Sequence, residues 1–473
     1  MTPTTPIAVD LDGSLIHTDI LYETFIRAVF RHPWCLFMLV PWLLKGRAHL
    51  KMRLAELVDF DIAALPYNQD LLAYLREQKS RDLILCTATN EILAKNIADH
   101  LGIFSDAIGS TATVNLTGSK KAELLCQRYG EKNFSYVGNE LRDLKIWKYS
   151  SSAIVVERKD KLARQLKDVC PVEYRCKAPV TTPKILFKAL RMHQWVKNLL
   201  LFVPLLTSHQ FTDMALVAKS VLAFLAFGIC ASATYLINDL SDLDSDRMHW
   251  KKRFRPLAAG TLSIRRAMLV IGFALPLSAL IAYFVNPHFL LVLACYVVVT
   301  LAYSFALKRL QTVDILTLAS LYTLRIIAGG VAISILPSFW LLAFSMFLFL
   351  CLALIKRISE ILKAGGGDGE VKKLSGRGYY TSDLPILNSL ATSSGMLSIL
   401  VFAMYVNSDD VVELYRLPYL LWLVCPVFSY WIVRVLIMSS RGEIDEDPIV
   451  FALKDRRSWL AGFIISIILI ASI

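Results

Sequence analysis

The sequence predicts two parts of different fold class. Residues 1–170 are expected to form an α/β domain with a Rossmann-like parallel sheet and a helical cap. Residues 184–473 are expected to form an all-α polytopic membrane bundle of about nine transmembrane helices, joined to the first part by a linker at 171–183. Two observations predict this division. Charges and short apolar runs alternate up to about Val180, whereas long apolar stretches dominate afterwards, and the first apolar strand is followed at once by two aspartates.

Apolar windows mark the predicted transmembrane helices. Hydrophobic residues make up 55% of the 473 residues, and a helix needs about 20 mainly apolar residues to cross a bilayer. The first and last of the predicted windows are short. The nine windows are residues 195–208, 214–237, 267–285, 288–306, 313–335, 338–355, 389–405, 417–437 and 458–473.

Basic residues are distributed unevenly between the loops. Lys and Arg are frequent after the second, fourth, sixth and eighth windows, whereas residues 209–213, 286–287 and 336–337 contain none. Under the positive-inside rule, this alternation predicts a cytoplasmic N-terminal domain on an integral protein, which we expect in the bacterial inner membrane. No signal peptide is expected.

The basic residues that give the net charge of +12 cluster beside the apolar windows, so membrane topology explains them. No nucleic-acid partner is therefore expected. The nine cysteines form no Cys-x-x-Cys pair, which disfavours a zinc site or a disulfide framework. The sequence gives no indication of an oligomeric state.

The first predicted strand ends in two closely spaced carboxylates. Val9 is followed by Asp10, Leu11 and Asp12, and from the end of a strand both aspartates can reach one phosphate. This motif resembles that of the haloacid-dehalogenase superfamily, whose later motifs are matched in order by Thr87, Lys121 and Asp143. The resemblance implies a phosphatase with Asp10 as nucleophile and Asp12 as acid and base. It further implies catalytic roles for Thr87 and Lys121, and Mg²⁺ bound by Asp10, Asp12 and Asp143.

Two residues depart from that superfamily's pattern. Ser14 stands where Thr is usual, and Asn139 stands where a metal-binding Asp is expected. Because a carboxamide oxygen is neutral, it binds Mg²⁺ less strongly than a carboxylate does. A folded but inactive regulatory module is therefore the alternative interpretation of this domain.

A cluster of four aspartates follows the second apolar window. On a continuous helix Asp239, Asp242 and Asp246 share one face, whereas Asp244 points nearly the opposite way. Carboxylates are costly within a bilayer, so such a cluster predicts a water-filled site for hard cations such as Mg²⁺. The motif, preceded by Asn238 and followed by a basic run that includes Lys251 and Arg255, resembles the first aspartate motif of UbiA-superfamily membrane transferases.

The rest of the membrane half favours one branch of that superfamily. The second Asp-x-x-x-Asp motif of aromatic prenyltransferases is absent, because Leu318 lies four residues after Asp314. The segments Gln194–Asn198 and Tyr303–Lys308 instead resemble the branch that transfers phosphoribose from phosphoribosyl diphosphate to a polyprenyl phosphate. The substrate-binding candidates are Lys197, Asn198, Asn238, Lys251, Arg255, Tyr303, Lys308, Asp314 and Arg325, and the metal candidates are Asp239, Asp242 and Asp246.

Two alternatives to phosphoribosyl transfer stay open. The first is aromatic prenylation with a polyprenyl diphosphate, since both branches share the first motif. The second is a membrane carrier, which is disfavoured because the charged motifs are predicted on one face of the membrane only. Asp314 and Arg325 would lie within a membrane span, where they either bind substrate or form an internal salt-bridge network.

One segment of the first domain is unusually apolar. Residues 25–45 carry Phe30, Trp34, Phe37 and Trp42, but Pro33 and Pro41 interrupt the run. A spanning helix is therefore not expected here. The pattern predicts a cap helix that packs on the membrane half or lies at the membrane interface.

Overall fold

The computed structural model describes residues 5–59, 61–363, 365, 373–374, 376–444 and 447–473. The chain forms two compact units. The first unit consists of Met1–Leu190 and Tyr235–Ile271, and the second consists of Arg191–Thr234 and Gly272–Ile473. The segment that carries the aspartate cluster therefore belongs to the same unit as the N-terminal part of the chain, an assignment that the sequence did not predict.

The first unit contains one six-stranded sheet. Its strands are β1 (Ile7–Val9), β2 (Leu83–Asn90), β3 (Asp106–Ser110), β4 (Ser135–Gly138), β5 (Ser152–Glu157) and β6 (Val172–Lys177). All neighbouring strands are parallel, in the order β3-β2-β1-β4-β5-β6, so the predicted parallel sheet is confirmed. In sheets of this kind ligands bind at the carboxyl ends of the strands, where the strand order reverses, which here is at β1.

Apolar side chains cover both faces of this sheet. Ile7 and Val9 of β1 pack on one face, whereas Ala8 and Cys86 pack on the other. This burial on two sides explains the uninterrupted apolar strand in the sequence. The helices up to residue 190 are α1 (Ile20–Arg31), α2 (Cys35–Leu44), α3 (Arg47–Leu57), α4 (Gln69–Glu77), α5 (Glu91–Leu101), α6 (Ser119–Tyr129), α7 (Leu144–Trp147), α8 (Lys161–Gln165) and α9 (Pro183–Ala189).

The predicted linker contains regular structure. Residues 172–177 of the segment 171–183 form β6, which pairs with β5. The strand is half-buried, with Val172, Tyr174 and Cys176 alternating with exposed charged residues. This period of two is a strand signal that the assignment of a linker overlooked. The domain boundaries 1–170 and 184–473 stay a prediction.

The remaining helices of the described chain include its long apolar ones. They are α10 (Val203–Thr207), α11 (Met214–Ser241), α12 (Leu243–Met248), α13 (Ile264–Val285), α14 (Pro287–Phe305), α15 (Val313–Ile333), α16 (Phe339–Lys363), α17 (Leu384–Val406), α18 (Asp409–Leu414), α19 (Val424–Ser440), α20 (Pro448–Lys454) and α21 (Arg456–Ser472). Short 3₁₀ helices join several of them, the longest being Met192–Phe202.

Seven helices in the described part of the chain are long and apolar enough to cross a membrane. They correspond to the second to eighth predicted windows, and the predicted count of nine is not confirmed. The first window forms a 3₁₀ helix and the short α10, while the last forms α21, which has only 17 residues. Helix α19 also has 17 residues, but the 3₁₀ helix Pro418–Leu423 leads directly into it, so the apolar helical segment has 23 residues. At 1.5 Å per residue α21 is about 26 Å long, slightly less than the roughly 30 Å of a bilayer core.

Close packing within the second unit depends on Gly329 of α15. A Cβ atom at this position would lie 2.1 Å from the backbone oxygen of Leu201, whereas one at Gly272 of α13 would meet nothing within 4 Å. Because a backbone carbonyl cannot rotate away as a side chain can, we expect Gly329→Ala to lower the free energy of unfolding by about 1–3 kcal/mol. Thermal unfolding in detergent measures this, with Gly272→Ala as the matched helical control. Equal midpoints for the two variants would contradict the packing.

Candidate functional site

Two aspartates and a lysine meet at the carboxyl end of β1. The Nζ atom of Lys121, at the start of α6, donates to Asp10 Oδ1 at 2.7 Å and to the Tyr136 hydroxyl at 3.1 Å. Although burial lowers the pKa of Lys121, the Asp10 carboxylate offsets this effect, so the pKa lies above its usual range. Lys121 is therefore a fixed positive charge that orients Asp10.

Asp12 lies in a more enclosed environment. Its Oδ1 accepts from the backbone N–H of Ile20 at 2.8 Å, and its Oδ2 accepts from the Thr89 hydroxyl at 2.9 Å. Burial, with smaller contributions from Asp19 and Asp10, raises the pKa of Asp12 to about 8. A carboxyl group with such a pKa holds a proton at neutral pH, as a general acid must.

The other predicted residues of this edge have defined partners. The hydroxyl oxygen of Thr87 accepts from the N–H of Thr89 at 3.1 Å. Asp143 Oδ2 accepts from the N–H groups of Asn139 and Glu140, each at 2.9 Å. Burial and the charge of Asp10 raise the pKa of Asp143 to about 7.

Asn139 packs against the turn that follows the two aspartates. Gly13 has a φ of +76°, and a Cβ atom there would lie 2.2 Å from Asn139 Nδ2. Only glycine therefore fits beside this side chain.

Two residues at this edge were missed from the sequence. Thr89 could have been found, since it lies two residues after Thr87 on the same strand face. Lys51 of α3 could not, because nothing local relates it to the aspartates. Its Nζ donates to the Ala88 carbonyl at 2.6 Å and to Asn115 Oδ1 at 3.2 Å. Burial lowers the pKa of Lys51 below its usual value, although the negative charges of Asp12 and Asp19 oppose this shift.

The aspartate cluster lies where α11 ends and α12 begins. Asp242 is the residue between the two helices, so the cluster is not on one continuous helix as the predicted face assumed. Arg255 nevertheless joins two of the predicted ligands: its Nη1 lies 3.1 Å from Asp239 Oδ1 and 2.5 Å from Asp246 Oδ2. Asn238 Nδ2 donates to Asp242 Oδ2 at 3.3 Å.

Asp246 has one carboxylate oxygen available for a ligand. Its Oδ1 is buried and accepts no hydrogen bond within the described residues; the nearest ammonium group, that of Lys252, is 3.9 Å away. Burial raises the pKa of Asp246, with Arg255 opposing the shift. Lys251 is exposed, and its backbone N–H donates to His249 Nδ1 at 3.1 Å.

Asp244 contacts Arg27 and so joins an ion network whose other charged members are buried. Arg27 of α1 binds both Asp244 and Glu23. Arg247 of α12 also binds Glu23, through contacts of 2.6 and 3.2 Å. The Thr18 hydroxyl donates to Glu23 at 2.6 Å. Apolar contacts between α1 and the aspartate segment surround this network.

In the second unit, three groups converge on Asp447, which caps α20. Its carboxylate accepts from Lys197 at 2.6 Å, from the Tyr322 hydroxyl at 3.1 Å and from Lys356 at 3.5 Å. Burial raises the pKa of Asp447, but Lys197 and Lys356 more than offset this and hold it well below its usual value. Lys356 and Asp447 were not among the sequence candidates. Their 91-residue separation left no spacing to detect.

Arg325 of α15 lies among neutral partners. It donates to Asn198 Oδ1 at 3.1 Å and to the Tyr296 hydroxyl at 3.3 Å, and its guanidinium lies over the rings of Tyr296, Tyr322 and Phe227. Its side chain is buried, and no carboxylate pairs with it among the described residues. Asn198 Nδ2 is buried and donates to no hydrogen-bond acceptor within the described residues.

Asp314 and Tyr303 belong to a separate polar cluster. Asp314 pairs with Arg357 at 2.6 Å and accepts from the Tyr379 hydroxyl at 2.7 Å. The Tyr303 hydroxyl accepts from Arg377 at 3.0 Å, and the backbone oxygen of Lys308 accepts from the same group at 3.4 Å. Asp314 thus has the internal salt bridge that the sequence left open as an alternative to substrate binding.

Comparisons with known proteins agree with this architecture. The UbiA prenyltransferase family matches residues 200–451. The protein y4nM of Sinorhizobium fredii is 37% identical over 466 residues, which cover 98% of this chain and 90% of that protein. The decaprenyl-phosphate phosphoribosyltransferase of Mycolicibacterium smegmatis is 33% identical over 279 residues, covering 57% of this chain and 86% of that enzyme. A structure of a UbiA homolog from Archaeoglobus fulgidus bound to GPP and Mg²⁺ has a TM-score of 0.47 and 20% identity, covering 60% of this chain and 96% of that chain.

The long apolar helices and the family match indicate an integral membrane protein of the transferase class. The chain belongs to the UbiA prenyltransferase family. The resemblance of its aspartate motif to that family is thereby confirmed.

The Glu23 network gives a prediction about stability. Glu23→Gln leaves Arg27 and Arg247 without their shared buried charge, so we expect the free energy of unfolding to fall by about 3–5 kcal/mol. Glu56→Gln is the control, because Glu56 forms an exposed ion pair with Arg53 and should matter by less than about 1 kcal/mol. Thermal unfolding in detergent distinguishes the two. Similar small effects would show that the network contributes no net stability.

The same network predicts a pH dependence. Burial raises the pKa of Glu23, but Arg247 and Arg27 more than offset this and lower it from 4.5 to about 2. The stabilisation is therefore complete above pH 4.5 and is lost as the pH falls towards 2. Unfolding measured between these values should show a smaller loss of stability for Glu23→Gln than for the wild type. Parallel profiles would contradict the assigned shift.

Proposed function

We propose that this protein transfers phosphoribose from phosphoribosyl diphosphate to a polyprenyl phosphate, with Mg²⁺, at the cytoplasmic face of the bacterial inner membrane. We further propose that residues 1–170 form a haloacid-dehalogenase-type phosphatase that acts on the product. Family membership supports a transferase, and the name of the Mycolicibacterium smegmatis relative supports phosphoribose and a polyprenyl phosphate as the substrates.

The observation that carries the proposal is the environment of Arg325. A guanidinium that is only 5% exposed and has neutral partners among the described residues is costly to bury. The unsatisfied Nδ2 of Asn198 lies on the side chain that Arg325 binds. An anionic group with several oxygens would satisfy both, and phosphate is the common anion that suits a guanidinium fork.

Lys197 and Lys356 supply further cations for phosphate groups. Both bind Asp447, which fixes their ammonium groups. The phosphoribosyl donor and the lipid phosphate together carry several negative charges, so a site for them requires more than one cation. We assign phosphate binding to Lys197, Lys356 and Arg325, with Tyr322 orienting the carboxylate that holds the two lysines.

The aspartate segment fits a magnesium ion. In the described residues no three His, Cys, Asp or Glu side chains are grouped closely enough to form a metal site on their own. Mg²⁺ is usually held by one or two carboxylates together with substrate phosphates, so such a cage is not required. Asp239 and Asp246 would hold the ion in place of Arg255, which links the two carboxylates here, and Asp246 Oδ1 is buried without a hydrogen bond among the described residues. Mg²⁺ held there would neutralise the leaving diphosphate.

The transfer step forms one bond and breaks one bond. An oxygen of the lipid phosphate attacks the anomeric carbon of the ribose as the bond from that carbon to diphosphate breaks. Positive charge develops on the sugar, while the departing diphosphate takes the electron pair. The cationic side chains of the protein hold both phosphate-bearing substrates in place. Asp242, which accepts a hydrogen bond from Asn238, lies in the same aspartate segment.

The phosphatase step would remove the 5-phosphate from the lipid-linked ribose. Asp10, held by Lys121, would attack the phosphorus, and Asp12 would give its proton to the departing ribose oxygen. Water would then release phosphate from Asp10. The raised pKa of Asp12 and the contact between Lys121 and Asp10 support these roles.

The transfer reaction is tested with labelled phosphoribosyl diphosphate and polyprenyl phosphate in membranes with Mg²⁺. We expect labelling of the lipid by the wild type and a loss of at least about 100-fold with Asp239→Asn, because one metal ligand loses its charge. Asp213→Asn is the matched control, since Asp213 is an exposed capping residue at the other end of the same helix.

Arg325→Gln should lower the same activity at least tenfold, whereas Arg325→Lys should retain more of it because the charge remains. No labelling by the wild type, with both substrates shown to be accessible, would reject phosphoribosyl transfer. Labelling from a polyprenyl diphosphate onto an aromatic acceptor would then support prenylation instead.

The phosphatase is tested with Asp10→Asn in the same membranes. We expect the phosphorylated lipid product to accumulate while its rate of formation stays within about twofold of the wild type. Glu91→Gln, at an exposed position at the start of α5, is the control. If wild type and Asp10→Asn yield the same products, the first domain is not a phosphatase for this lipid.

A further inference from the structure

We propose that α2 and the basic residues after it bind the lipid–water interface of the membrane, with the exposed face of α2 inserted among the lipid head groups. This surface belongs to the first unit and is separate from the candidate sites described above. The inference goes beyond the proposed function, because the binding requires only that the chain be a membrane protein.

The apolar face of α2 is the first observation. Phe37 is 84% exposed, Val40 64% and Leu44 83%. At 100° per residue these three side chains lie on one side of the helix, whereas the buried Cys35 and Trp42 lie on the other. The buried pair packs into the core of the α/β part, so the orientation of the exposed face is fixed.

This face forms a continuous patch. About half of each side chain of Trp34, Leu36 and Leu43 is also exposed, and these residues adjoin the apolar face on the same short segment. Exposed patches of this kind on a folded domain mark interaction sites, whereas single apolar residues do not. In the same unit, Ile92 of α5, which is 61% exposed, is a single exposed apolar residue of this kind.

The charge around α2 selects the partner. Residues 24–55 contain six Lys or Arg residues and no Asp or Glu. Four of the six, Arg27, Arg31, Lys51 and Arg53, have partners inside the unit. Lys45 and Arg47 follow α2 directly and are exposed. Positive charge beside an apolar face matches anionic phospholipid head groups above acyl chains, and it does not favour a second copy of the same basic surface.

The length of α2 determines how it meets the membrane. Ten residues form a helix of about 15 Å, half the thickness of a bilayer core, so α2 does not span. A short helix with one apolar face and basic flanks lies in the plane of the interface. Pro41 does not oppose this arrangement, because the polar surroundings of head groups can satisfy a backbone carbonyl that a proline leaves free.

The position of α2 has a consequence that rests on the proposed phosphatase. Helix α1 begins at Ile20, whose N–H binds Asp12, and α2 follows α1 after three residues. Binding of α2 to the interface would therefore keep the sheet edge near the membrane, where a lipid-linked phosphoester is found. A water-soluble phosphoester would not need this placement.

The test uses the full chain in nanodiscs that contain phosphatidylglycerol, with a photoreactive benzophenone amino acid in place of Phe37, Leu44 or Ile92. We expect at least tenfold more lipid adduct from positions 37 and 44 than from 92. Exchanging phosphatidylglycerol for phosphatidylcholine should lower the yield at least threefold. Adducts with protein in place of lipid, from this chain or a second copy, would overturn the proposal, as would equal lipid labelling at all three positions.

A second measurement separates this inference from the proposed function. Phe37→Asp should reduce lipid adducts from position 44 at least fivefold while leaving the thermal midpoint within a few degrees, and Ile92→Asp should leave both unchanged. If the phosphatase is real, Phe37→Asp should also slow hydrolysis of a lipid-linked phosphoester more than that of a soluble one. Lipid adducts without any phosphatase activity would uphold membrane binding and reject only the catalytic assignment.

Discussion

Glu23 is a fully buried carboxylate held between two arginines, and the arrangement of the first unit depends on it. One arginine, Arg27, belongs to the same helix as Glu23, while Arg247 comes from a segment more than 200 residues later in the chain. Neither arginine is exposed enough for water to replace the carboxylate. The network therefore joins α1, which follows the first pair of aspartates, to the segment that carries the second aspartate cluster.

This constraint also separates the aspartates by role. Arg27 binds Asp244 and so removes one of the four carboxylates from the cluster. Asp239 and Asp246 are left to share Arg255. Like charges this close require a cation between them, and the arginine provides one from within the same segment. Asp239 and Asp246 are therefore the carboxylates at which a metal ion would have to replace Arg255, while Asp244 belongs to the Glu23 network.

The second unit contains two buried acids with different consequences. Asp314 pairs with Arg357 and accepts a hydrogen bond from Tyr379, and Arg357 also pairs with Glu360, so these charges balance one another between α15 and α16. Asp447 instead collects two lysines. Arg325 of α15 has only neutral groups among its described partners. Charge balance, and not burial alone, distinguishes a structural ion pair from a site that needs an anionic ligand.

The sequence predicted most of the architecture because its signals were local. A continuous apolar run located the first strand and the apolar windows located seven of the long helices, whereas β6 lies within the segment that was predicted to be a linker. The motifs likewise located Asp10, Lys121, Asp239 and Asp246 at positions that the fold brings to charged partners. The grouping of residues 235–271 with the N-terminal part could not be predicted, since it depends on contacts such as that of Glu23 with Arg247.

The roles of individual charges were harder to predict for a physical reason. The sequence alone shows that Asp314, Arg325 and Lys197 are costly to place in a membrane. This cost is offset either by another side chain or by a ligand, and the sequence does not distinguish the two cases. Asp314 has its partner in Arg357, 43 residues later, whereas Arg325 has no carboxylate partner among the described residues. The distinction depends on which side chains the fold brings within about 3 Å of one another. A buried charge with only neutral partners among the described residues is consequently the observation, available only from the structure, on which the proposed anion site rests.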